Sequence, residues 1–319
     1  MPPLTSYTKP LTDAQAAQLR GLLVQQGWEL ETKPHCLFAA SRGKVNVPVY
    51  QKGPKILVQG KDTGDFVTHV LEPQILGQAE LGYEEVLHPE MFQPHIGVDE
   101  SGKGDFFGPL VIAGVYVDAT AARHLREAGA VDSKRITSDQ KIEQVAQAIR
   151  AVPGIRYEVV QINPERYNAL YEKFGNLNRL LAWGHAKVIE LLLERVPGCP
   201  RALSDQFANP AVLQRALQAK GREIELVQRT KAESDPAVAA ASVLAREKFV
   251  HWLRDCGNQL GIPLPKGVSP QVKDSARRLV QTRGEGILTQ VAKVHFKTTA
   301  EVLPNALSPQ TKPAIPSPA

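Results

Sequence analysis

Apolar and polar positions alternate in two different regimes along this chain. From Thr12 to Gln26 the apolar residues recur at helical spacing, with Ala16, Leu19, Leu22 and Leu23 on one side and Gly27 as a stop. Short strand-like runs follow at Trp28–Thr32, Leu37–Ala40, Val45–Tyr50 and Lys55–Gln59, separated by Gly, Pro and polar turns. A further helix is expected over 62–71. The pattern predicts a small α+β module spanning residues 1–87. A proline near each end of residues 88–94 marks that stretch as a linker.

The second regime covers residues 95–300. Strands are expected near 95–99, 109–117, 155–162, 201–205 and 223–228. Helices are expected near 138–151, 177–195, 210–220, 236–256 and 270–283. This alternation predicts an α/β domain with a mixed sheet and flanking helices. Leu180, Leu181, Ile189, Leu192 and Leu193 give one helix a buried face. Ala237, Ala240, Ala241 and Leu244 let another pack closely on the sheet. Residues 301–319, rich in Pro, Ser, Thr and Ala, read as a disordered tail.

Composition changes this picture only at its edges. A chain of 319 residues can bury two cores, and a net charge of +5 permits a polyanionic partner without requiring one. Three scattered cysteines, Cys36, Cys199 and Cys256, lack zinc or C-x-x-C spacing and point to reduced thiols in the cytoplasm. The first residues show no basic segment followed by an apolar core, and no apolar run approaches a membrane span, so no secretion and no membrane are expected. Within the first module Lys33, Arg42, Lys44, Lys52, Lys55 and Lys61 face only Glu31, which suggests a basic sheet face for a nucleic-acid backbone or simply a solvated surface.

The candidate chemistry lies at His95-Ile-Gly-Val-Asp-Glu-Ser-Gly-Lys-Gly104. An apolar strand runs into Asp99 and Glu100, and a glycine-punctuated turn leads to a second apolar segment, Leu110 to Val117. Two adjacent acids at a buried strand end oppose each other's ionisation, and a divalent cation with oxygen ligands relieves the conflict. Neighbours on a regular strand point to opposite faces, so both acids are expected to share a site only if the strand ends or distorts there. Gly97 to Lys103 also fits the phosphate-loop spacing G-x-x-x-x-G-K. Gly104 then stands where a Ser or Thr is needed, and the acids would repel a polyphosphate. A plain hairpin with solvated acids is the bland alternative.

Asp99-Glu100-Ser101-Gly102-Lys103-Gly104 with Gly108-Pro109 resembles the first motif of the type 2 ribonuclease H family. The insert Asp105-Phe106-Phe107 looks like the HIII branch of that family rather than the HII branch. Further matches follow in order at Asp132-Ser-Lys134, Asn176-Leu-Asn178, Asp205-Gln206-Phe207, Ala232 to Arg246, Leu264-Pro-Lys-Gly267 and His295-Phe296. The resemblance implies a ribonuclease H-like fold for 95–300. Gly27-Trp28 and Lys55 to Lys61 resemble the branch's N-terminal domain, which implies a fold similar to TATA-binding protein and a role in substrate binding.

The resemblance also implies hydrolysis of the RNA strand of an RNA–DNA hybrid, with two Mg²⁺ or Mn²⁺ ions, by a monomeric enzyme. Asp99, Glu100 and Asp205 would be catalytic metal ligands. The fourth acid is Glu233 or Asp235. Asp235 directly precedes Pro236 and suits a helix N-cap, which favours Glu233 as the ligand. The spacing from acid to helix is about one residue shorter here than in the family's pattern. The Gly102-Lys103-Gly104 loop would contact the nucleotide at the cut, Lys103, Lys134 and Lys266 would contact phosphates, and Ser133 would add a hydroxyl contact. His295 beside Phe296 reads as structural.

Overall fold

The computed structural model describes residues 4–77, 88–129, 133, 136, 138–217, 221, 223–230 and 232–303. Contacts divide the chain into two units, Met1–Phe92 and Gln93–Ala319.

In the first unit Thr12 starts the helix α1 (Asp13–Gln25). Its hydroxyl accepts from the Gln15 amide at 3.1 Å, and the Gln15 side chain accepts from the Thr12 amide at 2.9 Å. Five strands, β1 (Ser6–Pro10), β2 (Glu29–Glu31), β3 (Cys36–Arg42), β4 (Val45–Tyr50) and β5 (Lys55–Gly60), form an antiparallel sheet in the order β1-β5-β4-β3-β2. Leu19 and Leu23 of α1 share a core with Phe38, Val47, Val49, Ile56 and Val58. The other face is open, and Ser6, Thr8, Asn46, Tyr50, Lys55 and Gln59 are exposed on it.

Three expectations need correction in this unit. β1 had no apolar alternation to reveal it, because it is a polar edge strand held by pairing with β5. The helix expected over 62–71 is a short α2 (Thr63–Phe66) that continues as π-helical turns over Val67–Leu76, with Pro73 inside. The basic residues do not make a basic sheet face. Lys44, Lys52 and Lys61 lie in turns, Lys33 pairs with Glu31 at 3.1 Å, and Arg42 donates to the Gln26 carbonyl, which leaves Lys55 on the open side. Of the segment expected as a linker, Pro89–Phe92 forms a 3-10 turn with Met91 and Phe92 buried.

The second unit is built on β6 (His95–Ser101), β7 (Leu110–Val117), β8 (Arg156–Ile162), β9 (Arg201–Asp205) and β10 (Glu225–Arg229), ordered β10-β9-β6-β7-β8. β6, β7 and β8 pair antiparallel, while β9 and β10 join parallel to β6. The helices are α3 (Ala119–Glu127), α4 (Asp139–Arg150), α5 (Pro164–Phe174), α6 (Leu177–Arg195), α7 (Pro210–Ala216), α8 (Pro236–Leu260), α9 (Pro270–Arg283), α10 (Ile287–Val291) and α11 (Lys297–Val302). α3, α5, α10 and α11 are additions to the expected set. α11 extends to Val302, and residues 304–319 lie outside the described residues, as does Lys134.

Both faces of this sheet are covered. A Cβ on Gly97 would lie 2.3 Å from the Val238 nitrogen of α8, so only glycine lets that helix sit so close. On the other side, a Cβ on Gly114 would lie 2.4 Å from Val188 of α6, and Gly114 pairs with Val98. Odd-numbered residues of β6 therefore face α8 and even-numbered ones face α6.

Candidate active site

The alternation along β6 decides where the two adjacent acids go. Pairing with β7 stays regular through Asp99↔Ala113, Glu100↔Ile112 and Ser101↔Val111. The strand stays regular through both acids and ends one residue later, at Ser101, so of the two expected ways to bring them together it ends and does not distort. Each acid is held from its own side. Asp99 lies beside Ser242 of α8, whose hydroxyl favours its charged form. Glu100 accepts from His185 Nε2 of α6, with 2.9 Å between Nε2 and Oε2.

These environments pull the two carboxyl groups apart. Burial, and then the neighbouring charge of Glu100, push Asp99 up to about 7. Burial would raise Glu100 as well, but the hydrogen bond and charge of His185, with the Lys103 ammonium, hold it down at about 2. Lys103 Nζ lies 2.5 Å from Glu100 Oε1. Burial works against its charge, yet Glu100, Asp99 and Asp205 together raise its pKa. One ammonium thus lies in the field of three carboxylates.

Asp205 ends β9, the parallel neighbour of β6, and its Oδ1 accepts from the Ala232 amide at 3.3 Å. That contact ties it to the 3-10 turn Ala232–Ser234, which carries half-buried Glu233. Asp235 is occupied elsewhere. It is buried as the N-cap of α8, and its Oδ1 accepts from Ala237 and Val238 and from His95 Nε2 at 2.9 Å. The capping argument made from Asp235-Pro236 describes what that residue does.

The loop residues differ among themselves. Gly102 is buried with φ +87°, and a Cβ there would lie 2.3 Å from the Pro109 carbonyl oxygen. It shapes the turn, whereas Gly104 has no atom within 4 Å of its Cβ position and faces open space. The G-x-x-x-x-G-K match forms no phosphate loop, because Gly97 sits inside a strand against α8. Ser133 Oγ is buried 2.8 Å from Ser242 Oγ and so backs the partner of Asp99. Lys266 is exposed and ion-paired with Asp139 at 2.9 Å. His295 stacks on Tyr171 with ring centroids 4.0 Å apart, a structural role as expected.

Sequence reasoning missed His185, Ser204 and Ser242. His185 and Ser242 lie within helices read as core, and Ser204 lies inside the strand expected over 201–205. Lys293 was missed too. It is fully buried, and its Nζ donates to the carbonyls of Asp105 at 2.9 Å, Phe107 at 3.3 Å and Gly108 at 2.6 Å. Burial pushes its pKa down to about 7. It pins the turn that follows the Gly102–Gly104 loop.

An all-carboxylate donor set suits a hard divalent cation such as Mg²⁺ or Mn²⁺. Among the described residues no three Asp, Glu, His or Cys side chains are grouped as a ready cage. The raised Asp99 and the ammonium among the acids are the electrostatic signs of a site that takes positive charge. No helix among the described residues is long and apolar enough to cross a membrane.

Residues 96–299 match the family model described as Ribonuclease HII. The chain is 41% identical over 303 residues to a protein named Ribonuclease HIII from Protochlamydia amoebophila (strain UWE25), covering 95% of this chain and 98% of that one. It is 42% identical over 301 residues to the Ribonuclease HIII of Chlamydia muridarum (strain MoPn / Nigg), covering 94% and 97%. Among solved structures, Bst-RNase HIII in complex with Mn²⁺ is similar with a TM-score of 0.64 at 26% identity, over 95% of this chain and 99% of that one. The RNase H3 of Aquifex aeolicus is similar with a TM-score of 0.52 at 28% identity, over 91% and 99%. A mixed sheet whose adjacent parallel strands end in carboxylates, in a chain alike to these proteins over nearly its whole length, belongs to the type 2 ribonuclease H family, on its ribonuclease HIII branch, and is a ribonuclease H.

Proposed function

We propose that this protein is an endonuclease that hydrolyses the RNA strand of RNA–DNA hybrids, leaving 3′-hydroxyl and 5′-phosphate ends. The observation that carries the reading is that Asp99, Glu100 and Asp205, near the ends of two neighbouring strands, all act on the ammonium of Lys103. Asp99, Glu100, Asp205 and Glu233 would hold two Mg²⁺ or Mn²⁺ ions. When bound, such ions ease ionisation of the attacking water and stabilise charge on the departing 3′-oxygen.

The remaining roles belong to the chain itself. Lys103 leaves Glu100 for a substrate phosphate, acting as a point charge. Gly102 fixes the turn, and the backbone at Gly104 approaches the ribose, where the 2′-hydroxyl separates RNA from DNA. Ser133 supports Asp99 through Ser242. Lys134 and Lys266 contact phosphates, Lys266 by giving up Asp139. The open sheet face of the first unit, with Tyr50, Lys55, Asn46 and Gln59, lies along the hybrid's backbone. The protein works as a monomer in the cytoplasm, in keeping with free thiols at Cys36, Cys199 and Cys256.

An end-labelled hybrid, incubated with Mg²⁺, Mn²⁺ or EDTA beside matched double-stranded RNA and DNA, tests the reading. Metal-dependent cutting of the hybrid's RNA strand alone, lost in Asp99→Asn and Asp205→Asn, is the expected result. A hybrid that stays intact with every metal would overturn it.

A further inference from the structure

His185 is fully buried on α6 and touches both strands that carry the acids. Its Nε2 lies 2.9 Å from Glu100 Oε2 at the end of β6, and its Nδ1 lies 3.0 Å from Ser204 Oγ in β9. Ser204 is also fully buried, and its hydroxyl donates to the Asp205 carbonyl at 3.0 Å. An ionised carboxylate only accepts, so Nε2 is the donor to Glu100. The Phe207 ring packs on the imidazole with centroids 4.8 Å apart. Gly184, the preceding residue, brings this turn of α6 onto the sheet, since a Cβ there would lie 2.6 Å from Ile112, the strand partner of Glu100.

The two oxygens of Glu100 are therefore held differently. Oε2 is fixed from inside by a rigid, buried ring. Oε1 is met from outside by Lys103, whose side chain is 47% exposed. His185 and the Ser204 hydroxyl together link the carboxylate of Glu100 to the backbone carbonyl of Asp205.

We propose that His185 is a positioning residue: it locks Glu100 through Oε2, presents Oε1 to the divalent cation, and couples that carboxylate to the strand end bearing Asp205. The inference rests on the metal-dependent hydrolysis proposed above. A partner that orients a ligand in this way is worth 10- to 100-fold in metal affinity or activity as an order of magnitude.

The test compares the full-length protein with His185→Ala, His185→Asn and His185→Gln. Mn²⁺ binding is followed by electron paramagnetic resonance without nucleic acid, and hybrid cleavage is resolved into kcat and KM. Circular dichroism confirms that each variant is folded. His185→Ala is expected to weaken Mn²⁺ binding and lower kcat by roughly 10-fold or more, with KM for the hybrid within about twofold. His185→Gln places an amide N–H near the position of Nε2 and should recover most of the loss. His185→Asn, which keeps only the Ser204 side, should not. If His185→Ala unfolds, the Gln and Asn pair carries the test. Folded variants with wild-type Mn²⁺ affinity and kcat, or equal losses in Gln and Asn, overturn the positioning role. A wild-type protein that neither binds Mn²⁺ nor cuts the hybrid overturns the hydrolytic reading, and the inference with it.

Discussion

The two sheets of this molecule are put to opposite use. The sheet of the second unit is covered on both sides, and Leu110 to Val115 of β7 are all buried. There a polar side chain is costly unless paired, so Asp99, Glu100, His185, Ser204 and Ser242 each meet a partner. The sheet of the first unit is covered on one side, and its open face carries polar residues, Lys55 among them, that water satisfies. In the first case polarity inside the fold marks chemistry. In the second it marks a surface on which something can be laid.

The sharpest way to break this comparison is at Asp99. Asp99→Asn should lower hybrid cleavage on the order of 10³-fold, measured by single-turnover kinetics. It should also change the pH dependence of stability. The native carboxyl titrates near 7 against 3.8 for the unfolded chain. Between those values the native state holds a proton that the unfolded state has lost, so metal-free wild-type stability falls as pH rises through that window. Asp99→Asn removes the fall. Its melting temperature without metal should exceed wild type at pH 8 and match it near pH 4.

Next in size is Gly97→Ala. The new methyl would sit 2.3 Å from backbone of α8, and neither element can give way easily. A loss of about 3 kcal/mol is expected from urea titration. The two sheets then diverge in the expected outcome of surface changes. Tyr50→Ala with Lys55→Glu should raise KM for the hybrid several-fold, near 1 kcal/mol, and leave kcat unchanged. Equal kcat and KM would show that the open face binds nothing in this reaction. The smallest effect is a gain. Gly21 lies within α1 with nothing within 4 Å of its Cβ position, so Gly21→Ala should stabilise the protein by about 0.5–1 kcal/mol.

The same difference in burial governs what the sequence revealed. The doubly covered strands read as apolar runs, and β6, β7, β8, β9 and β10 fall close to where that pattern predicts. Helices α6 and α9 match to the residue. β1 was invisible because its only reason to be a strand is a partner some fifty residues away, and distance along the chain leaves no local mark. α5 was legible and overlooked: Pro164 follows Asn163, and Tyr167, Leu170, Tyr171 and Phe174 follow at helical spacing. Asp99, Glu100 and Asp205 could be named from motif and strand-end position. His185 could not, since a histidine on an apolar helix face gives no sign of what it meets until the strands are placed. The adjacency of Asp99 and Glu100 misled for a related reason. It suggested that the strand ends or distorts to bring both acids to one side, where the fold supplies an anchor from each face of a strand that stays regular to its end at Ser101.

Lys293 gives the sequence order of the chain a temporal meaning. The turn behind the substrate loop closes on an ammonium 185 positions downstream, and Phe107 pairs with Ala292 beside it. Contacts at such separation form late and slowly. On the ribosome, where the chain emerges from its N-terminus, the acids are made early but the brace for their loop arrives close to the end of synthesis. The core beneath the open sheet of the first unit, by contrast, is drawn from residues between Tyr7 and Leu76 among the described residues. The surface proposed to hold nucleic acid is complete long before the machinery proposed to cut it.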